Sequence, residues 1–236
     1  MGSCCQLAVG SCQLPVASLS ASVGVSYRTW EWSLAGDSPA PRFASQGMGK
    51  VFESIDEKLE AWLSAQRVFF VATAPLSVAG HVNCSPKDGE SFRVIDERTV
   101  VYLDLTGSGV ETIAHVRENE RIVLMFCAFT GAPKIVRLHG HGEIIESNHQ
   151  EFEQLRSMFR SAVGIRSFIK VHLTRISDSC GYGVPIYEFR GYRPQLESWA
   201  EQKGEASLVE YRLKHNSQSV DRLEGVRSDR NGAEIR

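Results

Sequence analysis

Between positions 82 and 142, three short apolar segments alternate with loops rich in Gly, Ser, Thr and isolated charges. The segment 121–129 (RIVLMFCAF) is almost continuously apolar, the mark of a strand covered on both faces. Its neighbours have the same texture. Residues 67–74 (RVFFVATA) are β-branched and aromatic and end at Pro75, and 81–85 form a second strand that stops at Pro86. Residues 92–105 hold two strands joined by the turn Asp96-Glu97-Arg98. In the second of them Val101, Leu103 and Leu105 share one face, Tyr102 and Asp104 the other. The strand 134–146 is interrupted by Gly140 and Gly142, as at a bulge, a barrel corner or a close ligand. In 168–176, Phe168, Lys170, His172 and Thr174 point outward against Ile169, Val171, Leu173 and Arg175. A short strand follows at 184–189.

Helices fit between these strands. Ser54 and Glu57 read as a capping box ahead of Ile55, Leu59, Trp62 and Leu63 at helical spacing. Further helices are expected at 111–118, at 150–160 with Phe152, Leu155 and Phe159 on one side, from Pro194 to about 202, and at 208–213. Beyond His215 the polar, charged sequence reads as a disordered end. Six or seven strands, mostly consecutive in sequence, pair antiparallel into a small barrel or a sandwich.

Charge narrows the function. With 26 basic and 28 acidic residues the net charge is −2, which gives no reason to expect nucleic acid or a membrane surface as partner. No apolar run approaches the roughly 20 residues of a membrane helix. A small molecule or a second copy of the chain is therefore the expected partner. Cys4, Cys5, Cys12, Cys84, Cys127 and Cys180 have no metal or redox spacing and imply a reducing, cytoplasmic compartment without disulfides.

Residues 1–47 differ in texture, with nine serines, two acids (Glu31, Asp37) and two bases (Arg28, Arg42). A disordered extension, an organellar import segment and sequence upstream of a natural start at Met48 are the three readings, and disorder with Met48 as functional start is favoured. The expected organisation is 1–47 as extension, 48–190 as the barrel, 191–226 as a helical segment packing on it, and 227–236 as a disordered tail.

The seven histidines show no HExxH spacing and no close cysteine partner, and His139-Gly140-His141 is a weak pair, so no metal site is expected. GxSxG and P-loop patterns are absent. His115 and His141 read as packed or surface residues, and Tyr182 as a residue that could line a pocket.

The segments NCSPKDGESFRVID (83–96), TVVYLDLTGSGVETIAHV (99–116), RIVLMFCAF (121–129) and KIVRLHGHGEII (134–145), in this order, resemble the pyridoxamine 5'-phosphate oxidase-like family. The resemblance runs over about residues 48–226. It implies a mainly β chain with peripheral helices, an antiparallel split β-barrel of the FMN-binding type. It also implies a homodimer with FMN at the subunit interface and oxidoreductase activity on a small molecule. A phosphate needs cations, hydroxyls or backbone N–H groups, and the flavin ring needs an apolar slot with a polar edge. On the family's strands, Ser85, Lys87, Arg93, Thr106, Ser108, Glu111, Thr112, Arg137 and His139 supply such groups. Lys87 and Arg93 read equally well, singly, as solvated charges. Arg137 stands out, because a charge inside an apolar strand needs a partner or a ligand. Where the classical enzymes carry two adjacent basic residues after the Gly-Ser of this loop, this chain has Gly109 and Val110, which marks a divergent subgroup. A deazaflavin or haem-type ligand in the same cleft is the alternative, as is a non-enzymatic flavin carrier or sensor.

Overall fold

The apolar segments do become strands. A computed structural model describes residues 49–160 and 163–227; the expectations for 1–47, for Met48 as start and for the last nine residues lie outside these. In chain order the elements are β1 (Val51–Phe52), α1 (Glu57–Ser64), β2 (Val68–Thr73), β3 (Asn83–Asp88), β4 (Phe92–Asp96), β5 (Thr99–Leu105), α2 (Glu111–Asn119), β6 (Arg121–Cys127), β7 (Ile135–Ile145), α3 (Phe152–Ser157), β8 (Ile165–Ser179) and α4 (Gln195–His215). The eight strands form one sheet in the order β3-β2-β6-β7-β8-β5-β4, with β1 added on β8, and all pairs are antiparallel.

That sheet is curled, for a reason visible in its core. Phe69 on β2 lies 5.7 Å, centroid to centroid, from both Phe92 on β4 and Tyr102 on β5, while Phe126 on β6 lies 4.9 Å from Phe92. Strands at opposite ends of the hydrogen-bonded order thus touch across an enclosed interior, and the sheet forms a half-barrel around it. Leu124, Val136, Leu138, Ile169 and Ile176 complete this core, with Ile113 and Val116 of α2 closing one side. A second core on the outside of the sheet packs Phe152 and Leu155 of α3, with Phe159, against Val101, Leu103, Ile145 and Phe168.

Five local expectations are corrected. The cap of α1 is Asp56, whose carboxylate accepts from the Leu59 N–H at 2.7 Å, because Ser54 lies outside the first turn. β3 does not stop at Pro86 but runs through it, paired opposite Phe70; an edge strand tolerates the missing N–H. Phe168 does lie on the outer face but is fully buried there under α3, since the outer side of this sheet is itself covered. Residues 184–189 form no strand and reach the sheet through a bond from the Tyr187 N–H to the Phe129 carbonyl at 3.0 Å. Residues 216–227 are ordered: the N–H of Val226 donates to the Asn216 carbonyl at 2.9 Å, and Asp221 pairs with His81 at 2.7 Å. The two C-terminal helices expected from sequence do form, as the two parts of α4 on either side of Gly204, whose φ of 70° leaves the helical region.

Gly140 is where the chain most needs a glycine. The β7–β8 register shifts between His139 and Gly140, and a side chain at 140 would run into the His172 carbonyl. The extra residue of this bulge, Thr174, lies on β8, and ordinary alternation along β7 puts Leu138 in the inner core and Ile145 in the outer.

Candidate functional site: a two-armed cleft beside strand β3

β3 is an edge strand, so one of its faces is free to line a cleft. Asn83, Ser85 and Lys87 alternate onto that face, half-buried, while Cys84, Pro86 and Asp88 are exposed. A narrow arm of about 280 Å³ lies between this face, the end of β5 (Leu103, Asp104, Leu105), Gly107, Gly109 and Val110 of the following loop, the first residues of α2 (Glu111, Thr112), Arg166 and Leu196. It opens past Lys87, Leu105 and Leu196 into a wider arm of about 660 Å³.

Asp104 organises the narrow arm. Its carboxylate is 1% exposed and accepts from Arg166 Nε at 2.8 Å, from Lys87 Nζ at 3.3 Å and from the Ser167 hydroxyl at 3.2 Å. Burial alone would push this carboxyl up, but the Arg166 guanidinium and the Lys87 ammonium outweigh it and hold it below the usual carboxylate range. Arg166 also donates to the Gly109 carbonyl at 2.8 Å, tying the loop to the same centre.

A chain of neutral groups fixes the other wall. Asn83 Nδ2 donates to the Thr112 hydroxyl at 2.9 Å and the Thr73 hydroxyl at 3.3 Å, and Thr73 Oγ1 lies 3.0 Å from Nδ1 of the fully buried His115. With both amide hydrogens committed, Asn83 can offer a ligand its carbonyl oxygen. Burial lowers the His115 pKa against the opposing pull of Asp221 and Glu111, so this imidazole stays neutral.

The loop after β5 is held from behind. The Thr106 hydroxyl donates to the Gly164 carbonyl at 2.9 Å and accepts from Arg212 Nε of α4 at 3.0 Å. Asn216 Nδ2 donates to the Gly107 carbonyl at 3.0 Å. At the start of α2 the Glu111 carboxylate folds over Gly109 and would have to swing aside for a side chain there. The position favourable to an anion at this helix end therefore already carries a negative charge.

Of the residues expected from sequence, Ser85, Lys87, Glu111 and Thr112 line the narrow arm. Thr106 lies buried behind its loop, and Ser108 is exposed beside the arm without lining it. Arg93 spends its donors on the carbonyls of Glu90, Phe92 and Met158 and lies over the Phe159 ring. Arg137 and His139 are elsewhere, on the surface of β7 that alternates away from Val136 and Leu138. There Arg137 Nη1 donates to the Ser179 hydroxyl at 2.9 Å, and burial together with Arg137 and Arg175 lowers the His139 pKa. Tyr182 is 71% exposed and does not line either arm. No cluster of three or more His, Cys, Asp or Glu side chains that could hold a metal exists among the described residues.

Sequence reasoning missed Asn83, Asp104 and Arg166. Asp104 carried a usable signal, a lone carboxylate inside the apolar strand VVYLDL, which must be compensated when buried. Arg166 and Asn83 carried none, since their role depends on which strands the curl brings together.

Residues 55–180 match the family model described as Pyridoxamine 5'-phosphate oxidase, more than half of the chain. This chain belongs to that family. A curated relative, the pyridoxamine 5'-phosphate oxidase family protein ustO of Aspergillus flavus, is 38% identical over 196 residues, covering 75% of this chain and 78% of that protein. Among solved structures, HupZ of Group A Streptococcus is similar at 23% identity and a TM-score of 0.43, covering 52% of this chain and 91% of its own. A putative pyridoxamine 5'-phosphate oxidase of Lactobacillus delbrueckii shows 16% identity and a TM-score of 0.43, with 55% and 98% covered.

A flavin, the group this family implies, can be tested against the residues of the cleft. Leu103, Leu105, Val110 and Leu196 give apolar walls, and Asn83 and Thr112 give a polar edge. Lys87 and Ser85 stand at one end with the backbone of Gly107 and Gly109. The ring system fits. The phosphate end fits with less charge than two adjacent basic residues would give, because Lys87 shares Asp104 with Arg166 and Glu111 opposes it.

Proposed function

We propose that this member of the family is a flavin-binding oxidoreductase acting on a small molecule, with FMN seated in the narrow arm. The observation that carries this reading is the Lys87–Asp104–Arg166 centre, which faces the Asn83 amide across an apolar slot and ties down the loop beside it. Lys87, Ser85 and the loop amides meet the phosphate, Asn83 and Thr112 orient the ring's polar edge, and the leucines exclude water from its faces. Bound flavin supplies the electron chemistry, which no side chain here can perform.

The chain works as a homodimer in this reading. Val123 and Met125 on β6 are only half-buried and pair in register with His139 and Arg137 on β7, an outer surface suited to a second copy. Arg137 and His139 then reach a flavin across the subunit boundary, from the second copy's side.

The test is spectroscopic. Purified protein saturated with FMN should absorb in the flavin bands and quench FMN fluorescence, and a nicotinamide donor should bleach it and then turn over with an acceptor. A colourless protein that quenches no FMN, riboflavin or deazaflavin overturns the reading. Bleaching without turnover supports the second reading, a flavin carrier. That reading has its own observation: Lys87 and Arg166 are committed to Asp104 and His115 is buried, which leaves Glu111, bonded at 3.4 Å by the Val220 N–H, and the exposed Asp88, bonded by the Ser91 N–H, as the titratable groups of the narrow arm outside an ion pair.

A further inference from the structure

The wider arm differs in kind from the narrow one. Its walls are aromatic: Phe159, stacked on Phe168 at 5.5 Å, faces a pair formed by Phe189 and Tyr192, whose rings meet edge to face at 4.9 Å. Phe189 and Tyr192 are 46% and 38% exposed, so two large rings are held at the surface with one side uncovered. Such rings on a concave surface need a reason.

The charges of this arm are unevenly committed. Lys87 is held by Asp104, and Arg160 lies 4.0 Å from Glu197. Asp88 accepts from the Ser91 N–H and caps the short turn before β4, while Glu90 is exposed. Arg67 lies over the Phe189 ring at 5.3 Å and beside the Tyr192 hydroxyl, and neither Arg67 nor Arg193 has an acidic partner within ion-pair distance among the described residues. Two arginines without an acidic partner among the described residues thus rim an aromatic slot.

We propose that the wider arm is the substrate site and that it takes a flat aromatic carboxylate, its ring against Phe159, Phe189 and Tyr192 and its carboxylate on Arg67 and Arg193. Aromatic faces favour a planar ring by stacking, and an arginine fork matches a carboxylate in two parallel hydrogen bonds. The shared residues Lys87, Leu105 and Leu196 place such a ring next to the narrow arm. The proposal rests on the flavin reading only for calling this ligand a substrate; the binding site stands on its own residues.

Calorimetric titration of the full chain, with and without saturating FMN, tests it with three probes: 2-naphthoate, its neutral amide and cyclohexanecarboxylate. Naphthoate should bind at least about tenfold tighter than the amide, the worth of a hydrogen bond to a charged group. Cyclohexanecarboxylate should bind more weakly still. Arg193→Ala and Arg67→Gln should each remove most of the acid-over-amide preference, Arg193→Lys should restore part of it, and Phe189→Leu should weaken naphthoate and amide alike. FMN quenching and circular dichroism of every variant should match the parent, which separates lost recognition from lost folding. Equal affinity for acid and amide in the parent, or variants that keep the preference, overturns the proposal. Naphthoate binding with the stated arginine dependence in a protein that binds no flavin would sustain the site and sink the flavin reading instead.

Discussion

At the scale of single residues, Asp104 and Glu111 pull the site in opposite directions. Asp104 compensates Arg166, itself only 7% exposed, so removing its charge strands a buried guanidinium. Asp104→Asn should lower stability by about 3 kcal/mol, the cost of breaking a buried pair from one side, and urea denaturation would measure it. A shift below about 1 kcal/mol would mean that the centre is hydrated and weak. Glu111 repels an anion at the start of α2. Glu111→Gln should therefore tighten FMN roughly two- to fivefold while leaving riboflavin, which has no phosphate, unchanged. Fluorescence titration of both flavins checks this, and an equal gain for riboflavin would place the phosphate elsewhere.

At the scale of elements, α4 acts on the site twice, lining the cleft with Leu196 and holding its loop from behind through Arg212. Arg212 is 2% exposed and holds the Thr106 hydroxyl at 3.0 Å and Glu205 at 2.8 Å, so it joins a helix to the back of the loop after β5. Arg212→Ala should cost about 2 kcal/mol in stability, since it removes a buried donor from the Thr106 hydroxyl and a charge-assisted bond to Glu205. It should also speed FMN release, measured by stopped-flow fluorescence, because the loop loses one of its anchors. Lower stability with an unchanged release rate would show that Arg166 and Asn216 hold the loop by themselves.

At the scale of the whole molecule, two histidines set the response to acid. Burial lowers the pKa of both His115 and His139 from 6.5, so the unfolded chain binds more protons than the folded one just below that value. Stability is then full above neutral pH and falls as pH drops through about 6.5. Asp104, lowered from 3.8, adds its loss only below about pH 4. Melting temperatures from pH 8 to 5 should show the decline, and His115→Asn should flatten part of it while keeping an acceptor for Thr73. Assembly is the other property at this scale. Light scattering should report about twice the 26.2 kDa chain mass. Arg137→Ala should cost about 1.5–3 kcal/mol of FMN affinity, the range for a hydrogen bond to a charged group. Because Arg137 lies away from the narrow arm of its own subunit, that loss should vanish in any variant that is monomeric. Unchanged FMN binding in dimeric Arg137→Ala would make it a structural partner of Ser179.

Local patterning by itself determined most of the strands, most of the helices and the family. Alternation and β-branched runs are encoded residue by residue, and so is the order of segments that marks a pyridoxamine 5'-phosphate oxidase family member. The family resemblance grouped Ser85, Lys87, Glu111 and Thr112 as candidates, and the structure brings these four to one cleft, because a strand end and the helix start after a Gly-Ser loop are short-range features. Only the tertiary structure decided which charges meet. The curl of the sheet sets Lys87, Asp104 and Arg166 together across 79 positions of chain, and no local pattern records that closure. It also turned Arg137 and His139 away from this cleft, because period-two alternation says which residues share a face but not which face the fold will enclose.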